Sequence, residues 1–134
     1  MENQKKRILA ADDNDIMTDF YAMILKDNFP QFEIETFADG ASLESKLKGG
    51  RNGIRVVITD NEMPGISGSS IIEKYAKSQE YHGIKFILCY GAGSDEIGKM
   101  AVNNGAFAYI IKPFKPDAII KIVKNALDST ELSQ

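Results

Sequence analysis

The sequence predicts an α/β fold: a five-stranded parallel sheet with helices on both faces, doubly wound into a three-layer sandwich. Three observations carry this. Short apolar runs alternate with longer amphipathic stretches five times along the chain. The apolar runs are β-branched and nearly continuous, as strands buried on both faces must be. Polar residues that could do chemistry follow directly after the first, third and fifth runs, where open α/β sheets place their ligands.

The elements follow in order. Residues 8–11 form a first buried strand, and Asn14 or Asp15 caps a helix that sets Ile16, Phe20, Met23 and Ile24 at helical spacing. Residues 32–37 alternate as a second strand; Ala38, Asp39 and Gly40 make the turn, and Leu43 and Leu47 mark a short helix ending at Gly49 and Gly50. Residues 54–59 form a central strand, after which a turn-rich segment over 63–68 leads to a helix with Ile72, Tyr75 and Ala76 facing inward. Residues 85–90 give a fourth strand. Ile97, Met100 and Ala101 suggest a fourth helix, which Gly98 weakens by roughly 1 kcal/mol relative to Ala. Residues 107–111 form the last strand, Pro113 breaks it, and Ile120, Val123 and Leu127 line a final helix.

Composition bounds the function. The chain has 134 residues, 43% of them hydrophobic, which suits one domain: a flank over 1–6, the domain over 7–128 and a polar tail over 129–134. A formal charge of -3 speaks against a nucleic-acid binder, which needs clustered Lys and Arg; Lys5, Lys6 and Arg7 read as a solvated flank. Cys89 is the single cysteine and lies in an apolar run, so it packs as a small hydrophobe in a reducing, cytoplasmic setting. No apolar run approaches the roughly 18 residues that cross a bilayer, so no membrane role is expected. His82, the one histidine, falls in a loop and is given no phosphate-donor role.

Asp12 and Asp13 follow the first strand, Asp60 the third and Lys112 the fifth. If those strands are neighbours, three carboxylates and one ammonium share a crevice. Two like charges about 4 Å apart repel by roughly 4 kcal/mol at an effective dielectric of about 20, so the cluster either holds protons or captures a cation. Oxygen ligands without Cys or His select a hard ion, Mg²⁺ over zinc. One carboxylate is then free to act as a nucleophile toward phosphorus. A near P-loop over 93–100 fails because Met100 stands where a Mg²⁺-binding Ser or Thr is required, and the acidic stretch 12–18 lacks the Gly of a calcium loop.

Three segments resemble the receiver domain of bacterial response regulators: Arg-Ile-Leu-Ala-Ala-Asp-Asp-Asn at the first strand, Val-Ile-Thr-Asp-Asn-Glu-Met-Pro-Gly-Ile-Ser-Gly at the third, and Gly-Ala-Phe-Ala-Tyr-Ile-Ile-Lys-Pro-Phe at the fifth. The resemblance runs from Arg7 to about Leu127. It implies a flavodoxin-like fold like that of the single-domain chemotaxis regulators. It further implies a two-component signalling role in which Asp60 is the phosphoacceptor, Asp13 a direct Mg²⁺ ligand, Asp12 a ligand through water and the Glu62 backbone carbonyl a further contact. Lys112 is implied to pair with the phosphoryl oxygens, Tyr109 to be the aromatic residue that turns inward on activation, and the bond from Lys112 to Pro113 to be cis. The implied partners are a sensor histidine kinase or histidine phosphotransfer protein and an unidentified downstream protein, with dimerisation left open and no other cofactor.

The chain departs from the family at the end of the fourth strand. Where receivers carry Ser or Thr, the family spacing back from Lys112 lands on Tyr90, followed by Gly91, or with one residue of slippage on Gly91, followed by Ala92; neither supplies a short hydroxyl. The Tyr90 ring is expected to turn away from Asp60, with Gly91 making room and Tyr109 competing for the same space. The phosphorylation chemistry is expected to survive while its transmission to Tyr109 is altered or lost. The alternative reading is a receiver-like interaction module whose switching does not depend on phosphate.

Overall fold

The computed structural model describes residues 5–93 and 95–132. Five strands, β1 (Arg7–Ala11), β2 (Glu33–Phe37), β3 (Ile54–Asp60), β4 (Lys85–Gly91) and β5 (Ala108–Lys112), alternate with five helices, α1 (Asp15–Asn28), α2 (Gly40–Lys48), α3 (Gly68–Tyr75), α4 (Asp95–Asn103) and α5 (Pro116–Leu132). The strands form one sheet in the order β2-β1-β3-β4-β5, with every pairing parallel. The doubly wound architecture predicted from the alternation of apolar runs is the one observed.

Strand alternation sends successive side chains to opposite faces and so builds two cores. Ile8, Ala10, Val56, Ile58, Ile87 and Cys89 pack against Tyr21 and Leu25 of α1 and Ile119, Val123 and Ala126 of α5. Leu9, Ala11, Val57, Phe86, Leu88 and Tyr90 pack against Leu43 and Leu47 of α2, Ile71, Ile72 and Tyr75 of α3, and Ala101 of α4.

The helix starts are set locally. The Asn14 side chain accepts hydrogen bonds from the amides of Ile16 and Met17, Asp39 from Ser42, and Ser67 from Ser70. On α1 the apolar face is rotated from the one expected: Tyr21 and Leu25 are buried, whereas Ile16 and Met23 are 77% and 59% exposed. Asn14 rather than Asp15 is the cap, and the helix packs on the core through residues 17, 20, 21, 24 and 25, a stripe that also satisfies 3.6 periodicity. Met100 of α4, expected inward, is 59% exposed; Gly98 and Ala101 take the inner face.

The first strand starts at Arg7, where the domain is expected to begin, but the Arg7 side chain is not a solvated one. Arg7 belongs to β1 and pairs with Glu33 and Glu35 of β2 at 3.2 and 3.0 Å, so it is structural rather than a solvated flank residue. Helix α5 runs to Leu132, into the stretch expected to be a tail. Residues 1–4 of the flank, Ser94 of the near P-loop and the tail residues 133–134 lie outside the described residues.

Candidate functional site

The order β2-β1-β3-β4-β5 places β1 beside β3 and reverses direction between them, which opens a crevice above the carboxyl ends of those strands. Asp12 follows β1 directly and Asp60 is the last residue of β3. β5 delivers Lys112 from the far side of β4. The four residues singled out by their position after a strand therefore do meet.

Lys112 Nζ lies 2.8 Å from Asp12 Oδ2 and 2.7 Å from Asp60 Oδ1. The other oxygen of each carboxylate accepts from a backbone amide two residues on: Asn14 N to Asp12 Oδ1 at 2.9 Å, and Glu62 N to Asp60 Oδ2 at 3.1 Å. These local turns aim both carboxylates without help from distant side chains. Asp12 is 1% exposed and Asp60 5%, so the ammonium is what makes their charges tolerable.

Protonation follows from that setting. Burial raises the Asp60 carboxyl above the usual range; Lys112 pulls it back down, and the neighbouring Asp12 charge adds to the rise. For Lys112, burial acts to lower its pKa, but its hydrogen bonds to Asp12 and Asp60 prevail and hold it above its ordinary value.

Asp13 is exposed, and its carboxylate makes no ion pair among the described residues. One oxygen each from Asp12, Asp13 and Asp60 lie within 4.8 Å of one another. Three hard oxygens at that spacing, with one carboxylate facing solvent, fit a divalent cation that keeps some of its water. Three carboxylates and one ammonium sum to -2, and a divalent cation brings the crevice to neutrality.

The loop after β3 owes its path to Gly68. A Cβ there would lie 2.4 Å from the Asp60 carbonyl oxygen and 2.9 Å from Leu88 Cδ1, so a side chain at this position would push the start of α3 off β3. Asn61 completes the hold: its side-chain oxygen accepts from the Ser69 amide at 3.0 Å, and its own amide donates to Cys89 O at 2.8 Å. Neither role of Asn61 was legible from spacing, since an Asn after an acidic residue is common in loops. Glu62 is exposed and touches Asp60 through its backbone amide. The bond from Lys112 to Pro113 is cis.

Beneath the crevice, Cys89 pairs in register with Asp60 and is wholly buried. It is more than a small hydrophobe: its Sγ lies 3.4 Å from the Tyr21 hydroxyl, and burial pushes the thiol up to about 12.

Tyr90 is in the core, 1% exposed, and its ring centroid lies 5.9 Å from that of Tyr109. The room for it does not come from Gly91, whose missing Cβ would meet nothing within 4 Å. It comes from Gly98 of α4, where a Cβ would lie 2.6 Å from Tyr90 Oη. Burial raises the phenol pKa. The Gly98 amide is near enough to favour a phenolate slightly, but the hydroxyl has no hydrogen-bond partner of acceptable geometry. Burying a hydroxyl unpaired costs about 1–3 kcal/mol.

The profile of the response regulator receiver domain matches residues 8–124. Among curated proteins, the chain is 31% identical over 129 residues to the uncharacterised transcriptional regulatory protein YesN of Bacillus subtilis, covering 90% of this chain and 32% of that protein. It is 24% identical over 132 residues to hybrid signal transduction histidine kinase D of Dictyostelium discoideum, covering 98% of this chain and 8% of that protein. The chain thus spans about a third or less of the length of the curated relatives it matches. Among solved structures, a response regulator receiver domain from Clostridium thermocellum superposes with a TM-score of 0.85 at 26% identity, over 96% of this chain and 99% of that one. A CheY-like receiver domain protein from Methanospirillum hungatei gives 0.81 at 30% identity, over 97% and 99%.

Proposed function

The chain belongs to the response regulator receiver family of two-component signalling, whose members accept a phosphoryl group on an aspartate in a Mg²⁺-dependent reaction, and from that premise we propose that the acceptor here is Asp60. The observation that carries this reading is the Lys112 ammonium bridging Asp60 and Asp12 at the ends of their strands.

In this reading Asp13, Asp60 and the Glu62 backbone carbonyl, with Asp12 through water, would hold Mg²⁺. When bound, the ion offsets negative charge on carboxylates and phosphoryl oxygens, so that a dianionic group can approach an acidic crevice. Asp60 attacks phosphorus through a carboxylate oxygen, forming one P–O bond as the donor's bond to phosphorus breaks. With a phosphohistidine donor the electron pair leaves on the imidazole nitrogen, which takes a proton, and Asp60 becomes an acyl phosphate. Lys112 keeps Asp60 ionised and aimed before transfer, then pairs with the phosphoryl oxygens. Water reverses the modification by cleaving the acyl phosphate to carboxylate and inorganic phosphate.

The donor in this reading is a sensor histidine kinase or a histidine phosphotransfer protein, the setting is cytoplasmic, and the modified domain acts on a downstream protein. Among the described residues, no helix is long and apolar enough to cross a membrane. The test is intact-mass measurement after incubation with acetyl phosphate and Mg²⁺. One phosphoryl mass is expected in the wild type and none in Asp60→Asn; an unmodified wild type sinks the reading.

A further inference from the structure

Among the described residues, one buried side-chain polar atom lacks a hydrogen-bond partner, and it is the Tyr90 hydroxyl. The helix that covers it does so through a residue with no side chain. A Cβ on Gly98 would fall 2.6 Å from Tyr90 Oη and also 2.6 Å from Cγ and Cδ1 of Tyr109. Real Cβ atoms do not approach so closely, so α4 sits nearer the sheet than any other residue at position 98 permits. Ala101, one turn on, is buried in the same cluster. The Tyr90 and Tyr109 rings, tilted by 36°, fill the space that remains under the helix.

We infer that Tyr90 is a wedge that locks α4 and Tyr109 in one arrangement, so that phosphorylation leaves the face formed by α4 and β5 unchanged and is read at the crevice itself. The inference rests on the proposal that Asp60 accepts the phosphoryl group.

Two of the routes from Asp60 to α4 pass through the end of β4, which is tied to β3 by the register of Asp60 with Cys89 and by the bond from Asn61 N to Cys89 O; a third runs through Lys112 along β5 to Tyr109, which the same wedge holds in place. The first route is the Tyr90 ring. It lies in a packed interior, and such interiors move between discrete arrangements rather than by small continuous shifts. Its space under Gly98 is already full. The second route is the backbone from Gly91 to Gly93. At both glycines a Cβ would meet nothing within 4 Å, so no side chain in this stretch couples the strand end to the helix by packing. Gly93 has φ +150, a conformation few side chains share. Stability is traded for this arrangement: an orphaned hydroxyl and a mid-helix glycine are both unfavourable by themselves, yet they occur in contact.

The experiment has two arms. In the first, amide NMR spectra are recorded with Mg²⁺ before and after acetyl phosphate, with intact mass as the measure of uptake. In the wild type, amides of Glu62 and Lys112 should shift while those of Gly98 and Tyr109 stay in place. In Tyr90→Thr, which empties the space under α4, the Gly98 and Tyr109 shifts should be severalfold larger at equal uptake. Equal shifts in the two proteins overturn the wedge. The second arm needs no phosphate. Gly98→Ala should lower the urea midpoint of the wild type markedly and displace the Tyr109 ring signals, yet leave the midpoint of Tyr90→Thr unchanged or raise it, because Tyr109 can then turn into the emptied space and clear the methyl. An equal loss in both backgrounds overturns the wedge even if Gly98→Ala alone folds poorly. If the wild type takes up no phosphoryl group, the reading of Asp60 falls, and the second arm still decides the wedge.

Discussion

Lys112 holds Asp60 by an ion pair of 2.7 Å made across the end of β4, and the same ammonium holds Asp12 at 2.8 Å. Replacing Lys112 by Met leaves two buried carboxylates facing each other with no cation. Breaking a buried pair from one side costs roughly 3–5 kcal/mol. Because Lys112 is itself partly exposed, the lower end, about 3 kcal/mol, is expected in urea titrations without Mg²⁺. Added Mg²⁺ should restore part of that loss.

The same pair sets an alkaline limit. Lys112 has a folded pKa above its ordinary value, so its stabilising contribution is complete below the unfolded value of about 10.4 and fades as pH rises through the folded one. Wild-type stability should therefore show a decline above about pH 10.4 that is absent from the Lys112→Met profile and appears in the difference between the two. A flat wild-type profile there would contradict the assignment.

Asp60→Asn should stabilise the metal-free fold. The folded pKa of Asp60 is raised, mainly by burial, so this group favours folding while protonated and ceases to as pH rises through that value. At neutral pH the neutral isostere removes the cost. A rise in Tm of about 2–5 °C is expected by calorimetry, the shift that ~1 kcal/mol produces in a domain of this size. The gain should vanish at low pH, where the wild-type carboxyl is protonated too.

Asp13 is exposed and carries no structural ion pair among the described residues, so Asp13→Ala should leave the metal-free Tm unchanged. In the wild type, Mg²⁺ should raise Tm in proportion to the logarithm of its concentration once sites fill. In Asp13→Ala that increment should be lost, and thermal scans across a Mg²⁺ series read both effects.

Cys89 should be inert in the folded protein. It is wholly buried and its thiol is pushed up to about 12, so little thiolate exists at pH 8 and reagents cannot reach it. Labelling by a disulfide reagent should follow unfolding and be immediate in denaturant. Rapid labelling under native conditions would show that β4 opens locally.

Much of this was legible in the sequence because the chemistry of a parallel sheet gathers at one edge. Asp12, Asp60 and Lys112 each end an apolar run, and period and position together put them in one crevice. What was not legible depends on contacts between elements far apart in the chain. The inward face of α1 could not be fixed, since Ile16, Met17, Phe20, Tyr21, Met23, Ile24 and Leu25 allow more than one apolar stripe. Gly98 looked like a weak point in a helix; that it makes room for Tyr90 is visible once α4 lies on β4 and β5. The bond between Tyr21 and Cys89 spans 68 residues, and no local pattern announces it.

Gly68 carries no functional group, yet its bare backbone is what lets the loop lie over the Asp60 carbonyl. A saturating mutational scan should therefore score this position among the least tolerant in the chain, beside Asp12, Asp60 and Lys112. Alanine, ordinarily the mildest substitute, should fail there almost as badly as leucine, because the first carbon added is already the one that does not fit. Sensitivity in such a map would trace the shape that holds Asp60 as well as the charged groups that meet there.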